Sequence, residues 1–588
     1  MHLKNDIPRP EHPRPDFMRD TFCNLNGTWE FAFDDGEVGI REGWYKPGYH
    51  LNREIQVPFC YQCAASGIGP TDEIHPVLWY RRSFRVPEEM NGRRILLRFG
   101  AVDYDATVYL NGCMVGGHRG GYTPFALDVT DYLMDGENDL CVRVEDRPNP
   151  TQIRGKQYWH RGLIGCWYTP VSGIWQTVYL EAVGALAVDY IHVTPDIDQG
   201  LAMVELMLNK EPAAGTMLQL QVSFNGELLQ ETTVSARNRR TKIALDLNTH
   251  PKNDPVVLWS PEKPALYDLR VTVREKEEVY DRVDTYFGMR KIEVRNGAVY
   301  LNHRRIYQRL VLDQGYWPNG LLTAPSDEAL RKDVELTLAM GYNGARKHQK
   351  FEDPQYLYWA DKLGLLVWGE LPSAYWLRDS QKRNMMRDLS EAIRRDYNHP
   401  CLITWVPINE SWGVPFIQTQ REAQQLADAL YHMIHSLDGT RPVSVNDGWE
   451  QTCTDLVTIH DYTGWPESLT SAYQDEERLL NGNSGLWRLT TAVGYNNRGK
   501  PMLLTEYGGI AMARDAGGSN WGYNGAEKDE EAFLKRFDAI TQAFKHLPGF
   551  SGYCYTQLTD VFQEVNGLLD MNRNPKVDVG KIREINQK

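Results

Sequence analysis

Apolar and polar residues alternate with a period of two in short runs from about residue 20 to residue 290, where helical periodicity is absent. Runs such as Arg94–Phe99 and Leu269–Val273 place their apolar side chains on one face of a strand. Asn-Gly dipeptides at 26–27 and 111–112 separate such runs, as in β-hairpins. The pattern predicts a jelly-roll β-sandwich over residues 1–185 and an immunoglobulin-like β-sandwich over residues 186–290.

The rhythm changes near residue 300, where short apolar runs begin to alternate with longer segments of helical period. Strands are predicted at 305–312, 342–346, 365–368, 402–406, 443–445, 456–459, 502–505 and 552–555. Helices are predicted at 326–340, 354–363, 382–397, 418–436 and 528–546. Eight strands mostly followed by helices within about 290 residues predict a (β/α)₈ TIM barrel over residues 291–588.

Composition and charge narrow the function. The 588 residues include 64 Lys and Arg against 78 Asp and Glu, a net charge of −14. An acidic protein repels phosphate backbones and anionic lipid, so we expect no nucleic-acid or membrane partner. The first twenty residues are charged and proline-rich where a secretory signal would need an apolar run of about 7–15 residues. Together with nine cysteines, an odd and thinly spread number, this predicts a cytoplasmic protein with reduced thiols.

Two glutamates follow apolar barrel strands and are the main candidates for chemistry. Glu410 closes the run that begins at Leu402, and Glu506 closes the run that begins at Met502. Because the active site of such a barrel lies at the carboxyl ends of its strands, both side chains are expected at one mouth. One protonated and one ionised carboxyl group are what glycoside hydrolysis requires. The alternative is that strand-end acids serve only as salt-bridge partners of barrel arginines.

Several motifs in a fixed order resemble glycoside hydrolase family 2, the β-galactosidase, β-glucuronidase and β-mannosidase group. Residues 25–31, 80–84, 108–112 and 172–180 resemble its sugar-binding domain, and residues 287–292 resemble its bridge into the barrel. The pair Asn409-Glu410 and the run 505–508 resemble its acid/base and nucleophile motifs. The resemblance implies a retaining double displacement in which Glu506 attacks and Glu410 is the acid and base. At about 5–5.5 Å separation, we expect the anion of Glu506 to raise the pKa of Glu410.

Other residues receive supporting roles. The resemblance implies that Asn409 binds the sugar 2-OH and that Tyr462 orients the nucleophile, while Arg346 is expected to keep Glu506 ionised. Asp313 follows the first barrel strand and is expected to bind ring hydroxyls at C4 or C6. Two histidines, His348 and His460, are expected to line the pocket, with a structural role as the alternative. Several tryptophans are expected to serve as platforms for sugar rings, with packing as the alternative: Trp317, Trp412, Trp449, Trp376 and Trp465.

The glycone is predicted from one position near the last strand. Glucuronidases of this family carry an Asn-x-Lys motif that grips the uronate carboxylate, and here Glu564-Val565-Asn566 stands at that place. Because an acid there would repel a uronate, we expect an exo-acting β-D-galactosidase. The alternatives are another glycone (arabinofuranoside, glucuronide or mannoside), a transglycosylase, or a carbohydrate-binding protein without turnover.

No cofactor and no metal are expected. Long β-galactosidases of the family use Mg²⁺ and Na⁺, but no ligand set for either ion can be mapped on this sequence. The expected partner is a small-molecule glycoside or an oligosaccharide. Family members are commonly dimers or tetramers, so the resemblance allows a homo-oligomer, although nothing in the sequence marks an interface.

Overall fold

The first domain is a β-sandwich. In the computed structural model, which describes residues 7–249, 256–480, 488–545, 547 and 549–588, two antiparallel sheets enclose its core. Arg94–Phe99 alternates half-buried and buried side chains along its length, as its sequence pattern predicts. One sheet has the strand order Phe22–Asn24, Val178–Val183, Arg94–Phe99, Phe125–Asp128, and the other Arg53–Val57, Gly27–Phe33, Val77–Arg85, Glu137–Glu145, Asp105–Leu110, Cys113–Arg119; Val102–Asp103 pairs with Gly173–Ile174.

The middle domain is a second, smaller sandwich. Its core consists of inward-facing aliphatic side chains such as Val204, Leu220 and Val271, all nearly inaccessible to solvent. One sheet contains Val188–Asp196, Leu201–Leu208 and Arg240–Asp246, and the other Glu227–Ser235, Thr216–Phe224, Tyr267–Glu275 and Glu278–Phe287. A small sheet of Ile292–Arg295, Ala298–Leu301 and Arg304–Arg305 follows before the barrel.

The last domain is the TIM barrel, built from parallel strands whose side chains are buried on both faces. Within the described part of the chain, its regular strands are Gln308–Asp313, Gly344–Lys347, Leu366–Glu370, Leu402–Val406, Val457–His460, Met502–Gly508 and Phe550–Thr556. They form one continuous sheet that runs from Leu402–Val406 through Gln308–Asp313 and Phe550–Thr556 to Val457–His460. A short two-stranded ladder, Ala511–Met512 with Ala526–Glu527, lies beside the mouth.

The fifth strand of the barrel is irregular. The prediction of a regular strand at 443–445 is therefore wrong. On the side of the fourth strand, the segment forms only two isolated parallel bridges, Trp405 with Val443 and Asn409 with Asp447. On its other side, side chains take the place of a neighbouring strand: Asp455 accepts from the Val443 amide at 2.8 Å, and Thr454 accepts from the Val445 amide at 3.2 Å. This segment still closes the barrel and delivers Asp447 to its mouth.

Helices surround the barrel where amphipathic segments were predicted. Ser326 caps the first of them by accepting from the amide of Ala329, and Asp353 caps the second, which begins at a proline. None of the helices described is both long and apolar enough to cross a membrane. Their bounds are Asp327–Ala339, Pro354–Leu363, Asp379–Asp396, Arg421–Leu437, Pro466–Tyr473, Glu476–Leu480, Glu530–Lys545 and Val579–Gln587, with one short helix, Gly39–Glu42, in the first domain.

Candidate active site

The two candidate glutamates meet at the carboxyl end of the barrel. One oxygen of Glu410, one oxygen of Glu506 and a ring nitrogen of His460 all lie within 4.8 Å of one another. Glu410 sits beyond the fourth strand with φ +53°, and the next residue, Ser411, has φ +59°. Two consecutive non-glycine residues in the left-handed region are strained, and such strain concentrates at functional sites. The barrel therefore brings the pair within reach of a common anomeric carbon.

Glu506 is held as an oriented carboxylate. Arg346 donates from Nη2 to Oε1 at 3.1 Å, and Tyr462 donates its hydroxyl hydrogen to Oε2 at 2.6 Å. The Glu506 side chain is 6% exposed, so both interactions act at low local dielectric. These are the contacts expected for a nucleophile that must stay ionised and keep one oxygen aimed at the substrate.

His460 bridges the acidic groups of the mouth. Its Nδ1 lies 2.8 Å from Oε1 of Glu410 and 3.5 Å from Oε2 of Glu506, and its Nε2 lies 3.0 Å from Oδ2 of Asp447. Burial alone would lower the pKa of His460, but the charges of Glu506 and Asp447 raise it to about 10. The imidazole is therefore protonated at neutral pH and screens the two glutamates from each other.

The expectation that Glu506 raises the pKa of Glu410 is wrong for this ligand-free arrangement. Burial favours the neutral acid, yet the hydrogen bond and charge of His460 hold the pKa of Glu410 below its ordinary value, with help from Lys156. The physical reason is the imidazolium between the carboxylates, which the sequence does not reveal. Nδ1 of His460 lies one hydrogen bond from Oε1 of Glu410, so a proton can pass between the two groups.

Arg346 is the centre of this network. It is fully buried and forms ion pairs with Glu370, with Asp447 at 2.7 Å and with Glu506. It also donates to Oδ1 of Asn409 at 3.1 Å, which fixes the amide orientation. The Nδ2 group of Asn409 is then buried without a hydrogen-bond partner among the described residues. An unsatisfied donor beside the dyad suits a sugar hydroxyl, as the resemblance implies.

A segment of the first domain covers one side of the mouth, and sequence reasoning missed it. Tyr168 donates its hydroxyl hydrogen to Oε2 of Glu564 at 2.5 Å and receives a hydrogen bond from Gln314 at 2.8 Å. Gln563 donates to the backbone oxygen of Gly165 at 2.7 Å. Lys156, 7% exposed, lies on the same segment. Its position depends on how two domains pack, so no local motif marks it.

The chain matches the glycosyl hydrolases family 2 sugar binding domain over residues 22–181, the family's middle domain over 186–290 and its TIM barrel domain over 292–587. It belongs to glycosyl hydrolase family 2. The dyad, the Tyr462 contact and the buried arginine therefore lie in the TIM barrel domain of a family 2 member, and the jelly-roll, immunoglobulin-like and TIM barrel architecture predicted from the sequence is confirmed.

Relatives within the family carry two different names. The chain is 28% identical to a putative β-glucuronidase of Formosa agariphila over 67% of its own length and 48% of that protein. It is 27% identical to a β-galactosidase of Thermoanaerobacter pseudethanolicus over 71% of its length and 53% of that protein. It thus spans about half the length of these relatives. A solved β-glucuronidase of an uncultured Clostridium species shares the fold, with a TM-score of 0.77, 22% identity and coverage of 96% of this chain and 98% of that one.

Two other polar residues predicted for this family 2 site differ in their surroundings. Nδ1 of His348 lies 3.0 Å from Oε2 of Glu370 and 2.9 Å from Nη2 of Arg346, and burial lowers the pKa of His348. Asp313 accepts from Lys347 at 2.6 Å and from the amide of Gly315 at 2.8 Å. Because both oxygens of Asp313 have partners within the protein, its predicted role in binding ring hydroxyls is not favoured by this geometry.

The predicted aromatic platforms separate into two groups. Trp412 lies edge-on to Trp167 and Tyr375, each at 5.3 Å between ring centroids, and joins the wall formed by the first-domain segment. Trp449 lies edge-on to His460 at 5.6 Å. Trp317 instead stacks under the guanidinium of Arg573 at 3.5 Å, in a separate depression. Trp376 and Trp465 lie at the protein surface, where 53% and 72% of each residue is accessible to solvent.

Among the residues that the structure describes, two groups of side chains have the spacing of metal ligands. One is Glu410, His460 and Glu506, the centre described above. The other is Asp361, His399 and Cys401, at the junction with the middle domain. In the second group Asp361 accepts from His399 and from the Cys401 amide, so its oxygens stabilise the junction.

Proposed function

We propose that the protein is a retaining exo-β-glycosidase that releases a terminal β-D-galactosyl group from a small glycoside or oligosaccharide. The observation that carries the proposal is the close approach of Glu410 and Glu506 at the barrel mouth, within 4.8 Å between their nearest described oxygens. Retaining glycosidases need carboxyl groups about 5–5.5 Å apart, whereas inverting enzymes need about 6.5–9.5 Å to admit a water molecule.

The first displacement forms a covalent intermediate. Glu506, which accepts hydrogen bonds from Tyr462 and Arg346, attacks the anomeric carbon while the bond to the aglycone oxygen breaks. Glu410 receives a proton from His460 through their 2.8 Å hydrogen bond and gives it to that oxygen, so Glu410 is ionised and His460 is neutral after this step. The second displacement returns a proton to His460 by the same path. Asn409 offers its free Nδ2 donor to the sugar 2-OH, a contact that strengthens in the transition state.

The second displacement reverses these roles. Glu410, now ionised, takes a proton from a water molecule that enters at the site vacated by the aglycone. The hydroxide attacks the anomeric carbon and Glu506 departs as a carboxylate. Two inversions give net retention of configuration, and the protein returns to its starting protonation state.

Charge at the mouth supports a neutral glycone. A carboxylated sugar would add a negative charge to a site that is already acidic, at low dielectric. Glu564 stands next to this site, and Tyr168 fixes its carboxyl group there. Among the described residues around the dyad, the acids outnumber the cations: Glu370, Asp447, Glu506 and Glu564 against Arg346, His460 and Lys156.

A β-glucuronidase is the second candidate, and one observation favours it. Lys156 is a buried cation close enough to Glu506 and Glu564 to feel their charges. An ammonium group could receive a uronate carboxylate. Some relatives are also named β-glucuronidases, including the one from Formosa agariphila.

A panel of 4-nitrophenyl β-glycosides tests the proposal. We expect the galactoside to give the highest kcat/KM, ahead of the glucuronide, mannoside and arabinofuranoside. Preference for the glucuronide would select the second candidate. Absence of turnover on every glycoside would favour a carbohydrate-binding protein, and alkyl glycoside formation outpacing hydrolysis in added alcohol would indicate a transglycosylase.

A further inference from the structure

Lys156 is a buried cation for which the described part of the chain supplies no carboxylate at contact distance. The residue is 7% exposed, and its side chain hydrogen-bonds Cys166 but forms no ion pair with a described carboxylate. A buried ammonium group normally has a carboxylate partner, because its desolvation is otherwise costly. An ammonium group without such a partner keeps donors that can bind a polar group of a ligand.

The backbone around Lys156 is fixed against the barrel. The amides of Arg154 and Gly155 donate to the backbone oxygen of Ser373 at 3.1 and 2.9 Å. Gly155 has φ +60°, and a Cβ there would lie 2.3 Å from the backbone oxygen of Gln349, so only glycine fits. Tyr375 donates to the Gly155 oxygen, and the Tyr168 amide donates to the Lys156 oxygen at 2.8 Å. Lys156 is therefore placed by both domains.

The ammonium group lies close enough to the catalytic centre for their charges to interact. The charges that act on it belong to the ionisable group of Cys166, to Glu564, to the ionisable group of Tyr375 and to Glu506. The charge of Lys156 in turn acts on Glu410. Lys156 therefore interacts electrostatically with both members of the dyad and with Glu564.

Glu564 is the carboxyl group whose charge acts most strongly on Lys156, but the two groups are not in contact. Each acts on the other, and no ion pair joins them. Tyr168 holds the Glu564 carboxyl in place, and burial raises its pKa. A gap between a fixed ammonium and a fixed carboxyl group has the polarity to take a sugar hydroxyl, which can accept from one and donate to the other.

We propose that Lys156 is a substrate-binding residue contributed by the first domain, and that Lys156 and Glu564 together select the glycone by holding one of its hydroxyl groups. The inference rests on the proposed function and identifies the residues that select the glycone at that same site. Glu564 neutralises the field of Lys156 and so prevents the ammonium from serving as a carboxylate receptor. Removal of that negative charge should convert the pair into a site that accepts a uronide.

Substrates that differ only at C6 give the cleanest test. The 4-nitrophenyl β-D-galactoside and β-D-galacturonide carry a hydroxymethyl and a carboxylate group on the same ring. Four variants are compared with the wild type by kcat, KM and melting temperature: Lys156→Met, Lys156→Arg, Glu564→Gln and the double variant Lys156→Met with Glu564→Gln. Lys46→Met, at another lysine of the first domain, is the matched control.

The expected results separate binding from folding. Lys156→Met should lower kcat/KM for the galactoside by about tenfold or more, mainly through KM, and Lys156→Arg should recover part of it. Glu564→Gln should raise the galacturonide-to-galactoside ratio of kcat/KM by about tenfold or more. The double variant should lose that gain, and Lys46→Met should match the wild type.

Two results would overturn the inference. One is a Lys156→Met enzyme whose kcat/KM on the preferred glycoside stays within about twofold of wild type at unchanged melting temperature. The other is a Glu564→Gln gain on the uronide that persists in the double variant, which would show that Lys156 does not receive the carboxylate. The proposed function is tested separately, because it is wrong if the wild type prefers the glucuronide to the galactoside. In that case the change in kcat/KM of Lys156→Met on the glucuronide still tests whether Lys156 binds substrate.

Discussion

Neighbouring residues of the second barrel strand, Arg346 and Lys347, build two buried ionic networks on opposite faces of the sheet. Arg346 points into the mouth and pairs with Glu370, Asp447 and Glu506. Lys347 points the other way and pairs with Asp313 at 2.6 Å and Glu352 at 2.7 Å. Successive side chains of a strand face opposite sides, so one short strand supplies both.

The networks differ in how completely the protein satisfies them. In the Lys347 network, Lys350 pairs with Glu352 at 2.8 Å and donates to the backbone oxygens of Gly315 and Leu322. In the Arg346 network, Asn409 keeps a buried donor without a partner and the Glu410 side chain is 22% exposed. A satisfied buried network stabilises a fold, whereas one with open groups is prepared for a ligand. The comparison predicts that changes to the first affect stability and changes to the second affect turnover.

Glu506→Gln should have the largest effect on activity. Loss of the nucleophile should lower kcat by a factor on the order of 10⁴–10⁶, because no other described carboxylate takes its position. Steady-state hydrolysis of the best glycoside measures this, with circular dichroism as the control for folding. Activity near the wild-type level would remove Glu506 from the mechanism.

Glu410→Ala should follow, with a loss of roughly 10²–10⁴-fold, the usual contribution of general acid and base catalysis. Substrates with good leaving groups need little protonation and should be affected less. Added azide should restore release of the sugar as the glycosyl azide. An equal loss for good and poor leaving groups, with no azide product, would argue against the acid and base role.

His460→Gln should change the pH profile more than the rate at its optimum. In the wild type the shared proton is retained until the pKa of His460, about 10, is approached. Without the imidazole, Glu410 must hold that proton alone, so the basic limb of kcat/KM should move towards neutral pH. An unchanged basic limb would show that His460 does not supply the proton.

His460 also makes the stability of the fold depend on pH, and its stabilising contribution should fall as the pH rises. The pKa of His460 is raised on folding from its ordinary value of 6.5 to about 10. Its contribution to stability is therefore complete below pH 6.5 and declines as the pH rises through 10. The difference in melting temperature between wild type and His460→Gln should shrink over that interval, and a difference that grows with pH would contradict the assignment.

Asp313→Asn should have the smallest effect on turnover. It leaves Lys347 with one carboxylate instead of two, and breaking a buried ion pair costs about 3–5 kcal/mol. We expect urea denaturation to show that loss while kcat of the folded enzyme stays within a few-fold of wild type. A large fall in kcat at unchanged stability would return Asp313 to the sugar site predicted from the sequence.

Regular elements could be predicted because local signals define them. The strand Leu402–Val406 and the helix Pro354–Leu363 have their predicted bounds, since an apolar run and a capped, proline-led segment mark their ends. The segment at 443–445 could not be predicted in the same way. The Val443 and Val445 amides donate to the side chains of Asp455 and Thr454, and such side-chain partners leave no periodic signal.

The site was predictable only where a residue lies at a strand end. Glu410 and Glu506 follow from that rule, and the structure brings them together. The low pKa of Glu410 depends on His460, which comes from another strand. Lys156 and Tyr168 come from another domain, so their place beside Glu564 depends on domain packing alone.

The central claim is that Glu506 forms a covalent bond to the sugar. A 2-deoxy-2-fluoro glycosyl fluoride of the preferred glycone slows the second displacement and traps the intermediate. Peptide mass spectrometry of the trapped wild type should place the fluorosugar on Glu506, in a peptide that contains Tyr507 and Gly508. A label on another residue, or turnover without any covalent adduct and with inverted product configuration, would contradict the account.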